Sequence, residues 1–360
     1  MTQTVSLGDV IGNGEIICHN NLRSPLNSRQ RSEMLGGYLY YGATGPMDSI
    51  NQYKFNGYYV LVAEDGTVHG LNGVSPMIQR ISGKFWVSNH AHVLCGQDDI
   101  DTRYLALALE ASDVRPYVTG AVQLKLSKEN LFKLKIYWPN RIEREKILNQ
   151  MDPLDEKIEL NRKMNKTLEQ IGQALFRHYF IDNPKAEGWE RRELGEFFPI
   201  KTGKKDANYS SADGDYPFFT CSQSILKAPD YSFDGHALLL AGNGEFNLKL
   251  YRGKFEAYQR TYVLIPEREE LLGVLYFLMK LKLPEITGGS RGSVIKFITK
   301  GMIENYKFPL PNDIELVKMA KIFNQITINI EENVQEIQTL TSLRDSLLPR
   351  LMNRKVKLDG

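Results

Sequence analysis

The chain repeats itself once, and no other feature limits its fold as tightly. Tyr53-Lys-Phe-Asn-Gly57 recurs as Tyr231-Ser-Phe-Asp-Gly235, and in that register Leu61, Ala63 and Gly66 fall on Leu239, Ala241 and Gly244. Further along the offset shortens. Tyr104 and Leu109 then match Tyr276 and Leu281, Gly120, Val122 and Lys128 match Gly292, Val294 and Lys300, and Pro139-Asn140 matches Pro311-Asn312. From there the match runs without a gap through Ile158/Ile330, Asn161/Asn333, Leu168/Leu340 and Leu175/Leu347. The offset drifts early in each copy and is constant at the end. Loops accept insertions, whereas a packed long helix does not. Each half is therefore read as a variable globular part followed by a length-constrained helix.

The local patterns agree. Residues 58–63 and 237–241 are short apolar runs ending in glycine turns, as buried strands are. Residues 101–112 and 269–282 read as short amphipathic helices, and 131–138 and 303–310 as extended segments running up to a proline. In contrast, 142–180 and 314–352 carry apolar residues at alternating three- and four-residue spacing: Ile147, Met151, Leu154, Ile158 in one, Phe323, Ile326, Ile330, Val334 in the other. That rhythm is the coiled-coil one. Each stretch would be roughly 58 Å long at 1.5 Å per residue, with Pro153 placed to kink the first near its start and Pro349 to end the second. The expected fold is α+β, with two mixed α/β domains related by a pseudo-two-fold axis and separated by two long antiparallel helices forming a coiled coil. The expected boundaries are 1–140, 141–182, 183–312 and 313–360.

Composition excludes several classes. With 45 Lys plus Arg against 43 Asp plus Glu the net charge is +2, so there is no basic tail, although a local basic face remains possible. Three scattered cysteines (Cys18, Cys95, Cys221) form neither a disulfide framework nor a CxxC zinc site. No signal peptide and no membrane-length apolar stretch is visible, so a reducing cytoplasm is expected. Gly203-Lys204 lacks the upstream glycine and downstream Ser/Thr of a phosphate-binding loop, and no HExxH is present. His90-Ala91-His92 has metal-ligand residue types, but the second copy has Arg260-Thr261-Tyr262 there, which favours surface or groove-lining histidines. The FxGxG turn and the Asn/Asp-Pro-Pro-Tyr/Phe element that adenine methyltransferases need are both missing from the sequence. No catalytic residue and no metal site is expected.

What recurs in both halves is polar and loop-like. Ala63-Glu-Asp-Gly-Thr67 answers Ala241-Gly-Asn-Gly-Glu245, Thr119-Gly-Ala-Val-Gln123 answers Arg291-Gly-Ser-Val-Ile295, and Ser88-Asn-His90 answers Tyr258-Gln-Arg260. Any one such loop is ordinary turn chemistry. The set appearing twice suits DNA, because glycine lets backbone N–H groups approach phosphates while Asn, Gln, Arg and His can read base edges.

The repeated unit resembles the specificity subunit of type I restriction–modification systems over nearly the whole chain. The resemblance is strongest in Thr119-Gly-Ala-Val-Gln-Leu-Lys-Leu-Ser127 with Ile136-Tyr-Trp-Pro139, and in Gly289-Ser-Arg-Gly-Ser293 with Phe308-Pro-Leu-Pro311. Ile142-Glu-Arg-Glu-Lys-Ile147, Gln173-Ala-Leu-Phe176 and Ser346-Leu-Leu348 are similar to the family's helical spacers, and Leu194-Gly-Glu-Phe197 with Ile200-Lys-Thr-Gly-Lys204 to the opening of a target recognition domain. The first copy departs from this, opening with Asn13-Gly-Glu-Ile16.

The resemblance implies a non-catalytic subunit whose two target recognition domains each read half of a split, asymmetric site on double-stranded DNA. It implies two methyltransferase subunits per chain as partners, which methylate adenine N6 with S-adenosylmethionine, and a restriction subunit as a further candidate. This chain itself would bind no cofactor and no membrane. Candidate DNA contacts are Lys201, Lys204, Lys205, Gln259, Arg260, Arg291 and Ser293 in the second domain, and Asn89, His90, Thr119 and Gln123 in the first. A protein-assembly scaffold and a stand-alone DNA-modifying enzyme are the alternatives. Asn161 and Asn333 stand at the midpoints of the two helical stretches, on the apolar seam. They are expected to meet near the pseudo-two-fold axis and set the helix register, as a buried Asn pair does in a coiled coil.

Overall fold

Alternation along two central strands determines how each half is layered. In one, Val60 and Val62 enter the main core while Leu61 enters a second cluster on the opposite sheet face with Phe55, Phe85 and Val93. In the other, Leu238 and Leu240 face the main core and Leu239 the opposite cluster with Phe219, Phe255 and Val263. Successive strand side chains point to opposite faces, so a continuous apolar run is a strand covered on both sides. The computed structural model describes residues 4–70, 72–121, 123–290 and 296–352. The chain divides into two compact units, residues 1–157 with 339–360, and residues 158–338.

The first unit contains β1 (Thr4–Ser6), α1 (Leu7–Gly12), β2 (Ile16–Cys18), α2 (Ser28–Glu33), β3 (Leu35–Tyr41), β4 (Pro46–Ile50), β5 (Phe55–Ala63), β6 (Ile78–Val87) and β7 (Ala91–Gly96). It continues with α3 (Asp99–Glu110), α4 (Lys128–Lys133), β8 (Lys135–Tyr137) and the first half of α5 (Arg141–Phe176). The second unit contains β9 (Glu190–Glu193), β10 (Ile200–Thr202), β11 (Tyr216–Phe219), β12 (Ile225–Ala228), β13 (Phe233–Ala241), β14 (Leu248–Ala257) and β15 (Thr261–Leu264). Then come α6 (Leu272–Ile286), α7 (Lys300–Glu304), β16 (Lys307–Leu310) and α8 (Asp313–Met352). The sheet orders, β2-β7-β5-β6-β3-β4 and β10-β15-β13-β14-β11-β12, are the same topology twice. In each sheet one pair is parallel, β3 with β6 and β11 with β14. A separate two-stranded ribbon, β1–β8 or β9–β16, closes each unit before its long helix. The sequence repeat is a repeat of fold.

Two local expectations need correction. Residues 131–138 and 303–310 are not extended throughout; each begins in a short helix. Ser127 Oγ accepts from Asn130 N at 3.2 Å and starts α4, which buries Leu131. The segment 269–282 is not amphipathic, since α6 buries every residue from Leu272 to Met279. A helix apolar all round belongs inside a core.

In the first unit, Ile147, Leu148 and Met151 of α5 share a core with Leu348, Leu351 and Met352 of α8. In the second, Phe176 of α5 shares one with Leu316, Ala320, Phe323 and Ile326 of α8. Within the second unit Asn161 reaches Glu336 while Phe176 packs on Phe323, so numbers rise along one helix as they fall along the other and the pairing there is antiparallel. Among the described residues no helix is long and apolar enough to cross a membrane.

The two midpoint asparagines face the partner helix but do not bond each other. Asn161, fully buried, donates from Nδ2 to Glu336 Oε2 at 2.7 Å, and Asn333 Nδ2 donates to Asn165 Oδ1 at 2.8 Å. Asn165 Nδ2 in turn donates to the Ile330 carbonyl at 3.2 Å. Side chains on a helix lean toward its N-terminus. In an antiparallel pair that lean carries opposed residues apart, so each asparagine engages the facing helix about one turn beyond the expected contact. Asn161 Oδ1 is left buried without a partner. Asn161→Leu is therefore expected to leave the urea midpoint of the second unit unchanged or raise it, within about 1 kcal/mol, because it removes an unsatisfied acceptor. A loss above about 2 kcal/mol would show that the amide is needed for stability.

Gly172 on α5 marks a close approach. A Cβ there would stand 2.1 Å from Cζ of Phe277, a ring that is fully buried on α6 and packs on Phe323. Alanine would gain about 1 kcal/mol in helix propensity, but overpacking a filled core costs typically 1–3 kcal/mol. Gly172→Ala is expected to lower the unfolding midpoint of the second unit, while Gly172→Leu should prevent its folding. Calorimetry on both variants checks the order.

Candidate nucleic-acid interface

In the second unit, the loop after β13 folds onto two others. Gly242 N donates to Arg260 O at 2.8 Å, Ile298 N to Gly242 O at 3.0 Å, and Gly244 N to Lys296 O at 2.8 Å. The first unit builds the same frame: Glu64 N to His90 O at 2.9 Å, Leu126 N to Glu64 O at 2.7 Å, and Gly66 N to Leu124 O at 3.0 Å. The recurring polar segments of the first unit are thus one platform, and in the second unit Ala241–Glu245 and Tyr258–Arg260 form the same platform with Lys296 and Ile298, made by backbone groups while side chains remain free to differ. At equivalent places stand Glu64 and Gly242, and His90 and Arg260. Gly242 has no room for the larger residue, since a Cβ would lie 2.5 Å from Arg260 O.

The Lys201–Lys205 segment joins the second platform. Lys201 pairs with Val263 across β10–β15, and Lys205 O accepts from Gln259 N at 2.9 Å. Lys201, Lys204, Gln259 and Arg260 are exposed. Lys205 is half-buried, with its ammonium 4.1 Å from the centre of the Tyr209 ring. Arg291 and Ser293 lie outside the described residues. In the first unit Asn89, His90, Thr119 and Gln123 are exposed on the same platform. Thr119 pairs with Lys125 through backbone bonds of 2.9 and 2.7 Å. The close turn at Gly120, φ +98°, would put a Cβ 2.1 Å from Gln123 O.

A family model for the type I restriction modification DNA specificity domain matches residues 2–170 and 186–342. The chain belongs to this family. It is 40% identical over 169 residues to the EcoDI specificity subunit of Escherichia coli, a match covering 46% of this chain and 38% of that relative. The chain thus spans well under half of that subunit. It is 26% identical over 340 residues to a putative type I specificity subunit of Haemophilus influenzae, covering 88% of this chain and 87% of the relative. The solved S subunit of a type I system from M. genitalium has the same fold, with a TM-score of 0.61 at 16% identity, covering 97% of this chain and 95% of that one. The repeated architecture of this specificity-family chain is that of a solved relative.

An ion pair lies beneath the first platform. Arg23 Nη1 lies 2.6 Å from Glu64 Oε2 and also donates to the carbonyls of Asn89 and Ala91, at 3.2 and 3.0 Å. Burial opposes charge on Glu64, but the Arg23 hydrogen bond and the surrounding positive charges outweigh it and hold the carboxyl below its usual range. Nothing in the spacing of Arg23 and Glu64 could have announced the pair.

The two histidines of the His-Ala-His stretch separate. His90 is exposed, its Nδ1 2.9 Å from Asp65 Oδ2. His92, expected on a surface or in a groove, is fully buried because its strand lies between two packed faces. Its Nε2–H donates to Leu126 O at 2.7 Å and its Nδ1 accepts from Asn20 Nδ2 at 2.8 Å, so it is neutral and ties the platform loop to the sheet. Burial pushes its pKa below the ordinary value of 6.5. The unfolded chain then takes up the proton first, so this contribution to stability is complete above about pH 6.5 and is lost as pH falls through the folded value. Imidazole NMR should give a His92 pKa below 6.5, and a value at or above it would contradict the bonding pattern. Among the described residues no three His, Cys, Asp or Glu side chains form a metal-binding group.

Proposed function

We propose that this chain is the DNA-reading subunit of a type I restriction–modification complex. Each platform reads one half of a split, asymmetric double-stranded site, and the chain directs partner subunits there rather than performing chemistry. The observation that carries this reading is the platform built twice on the same backbone bonds with different side chains. Phosphate contacts position a protein and side chains on base edges specify sequence, so one scaffold with two side-chain sets reads two different half-sites. The partners are two methyltransferase subunits per chain, which modify adenine N6 using S-adenosylmethionine that they hold themselves, and a restriction subunit that joins them. Such a complex works on cytoplasmic DNA.

Methylome sequencing of cells carrying this chain with its methyltransferase tests the proposal. The expected result is one split motif with a methylated adenine in each half. Absence of any motif overturns it. Methyl transfer by the purified chain alone would favour a stand-alone enzyme. Gel shifts that detect no duplex binding, with or without the methyltransferase, would favour a scaffold.

A further inference from the structure

The outermost hairpin of each sheet has a feature that the platform loops do not explain. Its tip is tied down by a side chain of the neighbouring strand that occupies the same place in both units. Gln79 on β6 pairs with Leu61, and Lys249 on β14 pairs with Leu239, the matched leucines of the repeat. Gln79 Nε2 donates to the carbonyls of Gly42 and Ala43 at 3.1 and 2.9 Å. Lys249 Nζ donates to the carbonyls of Thr220 and Ser222 at 3.3 and 2.5 Å, while Asn247 Nδ2 takes the Cys221 carbonyl at 2.9 Å. An amide in one unit and an ammonium in the other thus perform the same task on unrelated tip sequences.

With its carbonyls turned inward, each tip presents side chains outward. Thr44 is exposed in the first unit, and Ser222, Gln223 and Ser224 in the second. Apolar shoulders follow at once: Met47 is 53% exposed, Ile225 46% and Leu226 37%. Both tips adjoin a platform. Ser88 N donates to Tyr41 O and Tyr258 N to Phe219 O, each at 2.9 Å, and Cys221 Sγ reaches Arg260 O at 3.4 Å. Short hydroxyl and amide groups flanked by exposed apolar side chains suit a DNA groove, where they meet base edges and thymine methyls.

Resting on the DNA-reading role proposed above, we infer that the two hairpin tips, Gly42–Gly45 and Thr220–Ser224, are a further sequence-reading element, and that Gln79 and Lys249 are the residues that position them. Each tip reads bases in the half-site of its own unit, with Gln223 a direct contact in the second.

The test uses the methyltransferase–specificity complex and the motif it methylates. Lys249→Met should relax at least one base position in one half of the motif, raising methylation of sites altered there at least tenfold and leaving the other half as stringent as before. Gln79→Leu should relax only the opposite half. Lys249→Gln, which imports the solution used in the first unit, should retain the parent motif. Gln223→Ala, at an exposed position, should relax the same half as Lys249→Met and decides the matter if that variant fails to fold. An unchanged motif in Lys249→Met and Gln223→Ala, or a uniform fall in methylation across all sites, overturns the inference alone. A wild-type complex that methylates no defined motif overturns the DNA-reading proposal itself.

Discussion

Replacing Arg260 and Arg291 together by alanine is expected to weaken duplex binding by the methyltransferase–specificity complex roughly 10- to 100-fold at physiological salt. Each phosphate neutralised contributes about 0.9 to the slope of log affinity against log salt. Losing two phosphate contacts should therefore flatten that slope by about 1.8. The backbone of the platform should survive, since Arg260 contributes its carbonyl to Gly242 whatever its side chain, and that side chain is exposed. If one arginine reads a base instead, the slope changes less and one position of the methylated motif relaxes. Titrations at several salt concentrations separate these outcomes. Unaltered affinity and slope would show that this platform does not face DNA.

A large stability effect is expected at Arg80. Its guanidinium pairs with Glu110 Oε2 at 2.7 Å and with Asp155 Oδ2 at 2.5 Å, and Arg344 Nη1 reaches Asp155 Oδ1 at 3.1 Å. Burial disfavours the charge on Arg80, but the two carboxylates more than compensate and hold it ionised. The cluster joins β6, α3, α5 and α8 within the first unit. Arg80→Met would leave both half-buried carboxylates without their main partner. Breaking a fully buried pair from one side costs roughly 3–5 kcal/mol; with the three side chains here 19–28% exposed, the expected loss is about 2–3 kcal/mol. Urea unfolding of the first unit should show a midpoint shift of that size. Arg344→Met should cost less, because Arg80 still covers Asp155. Equal losses for the two variants, or none, would contradict this account.

Much of this molecule is legible in the sequence, and the misses have physical causes. The repeat shows because two copies of one topology need the same leucines and glycines at strand ends and turns, and the helical segments show because they tolerate no insertion. The platform loops are visible only as recurring polar segments; their assembly depends on backbone bonds such as Gly66 to Leu124 and Gly244 to Lys296, which carry no residue signature. The hairpin clamps escape for a related reason. Gln79 and Lys249 share a position and a task but no chemistry that pattern matching would pair. The midpoint rule puts Asn161 opposite Asn333, whereas they bond Glu336 and Asn165, because one-dimensional midpoints ignore the direction in which helical side chains lean. The last turn of α4 falls in the 131–138 segment whose pattern reads as extended, because the start of that helix depends on one serine cap rather than on periodicity.

The division of the chain has a consequence for how the protein is made. The second unit is one uninterrupted stretch, residues 158–338, whereas the first includes residues 339–360 as well as 1–157. Leu348, Leu351 and Met352 belong to the core around Tyr104 and Ile147, and Tyr104 Oη lies 3.4 Å from Met352 Sδ. On the ribosome the half made first is thus the half completed last. The later half can close while the earlier waits, its apolar surface open, for the final turns of α8. A nascent chain stalled before those turns would carry a finished second unit beside an unfinished first.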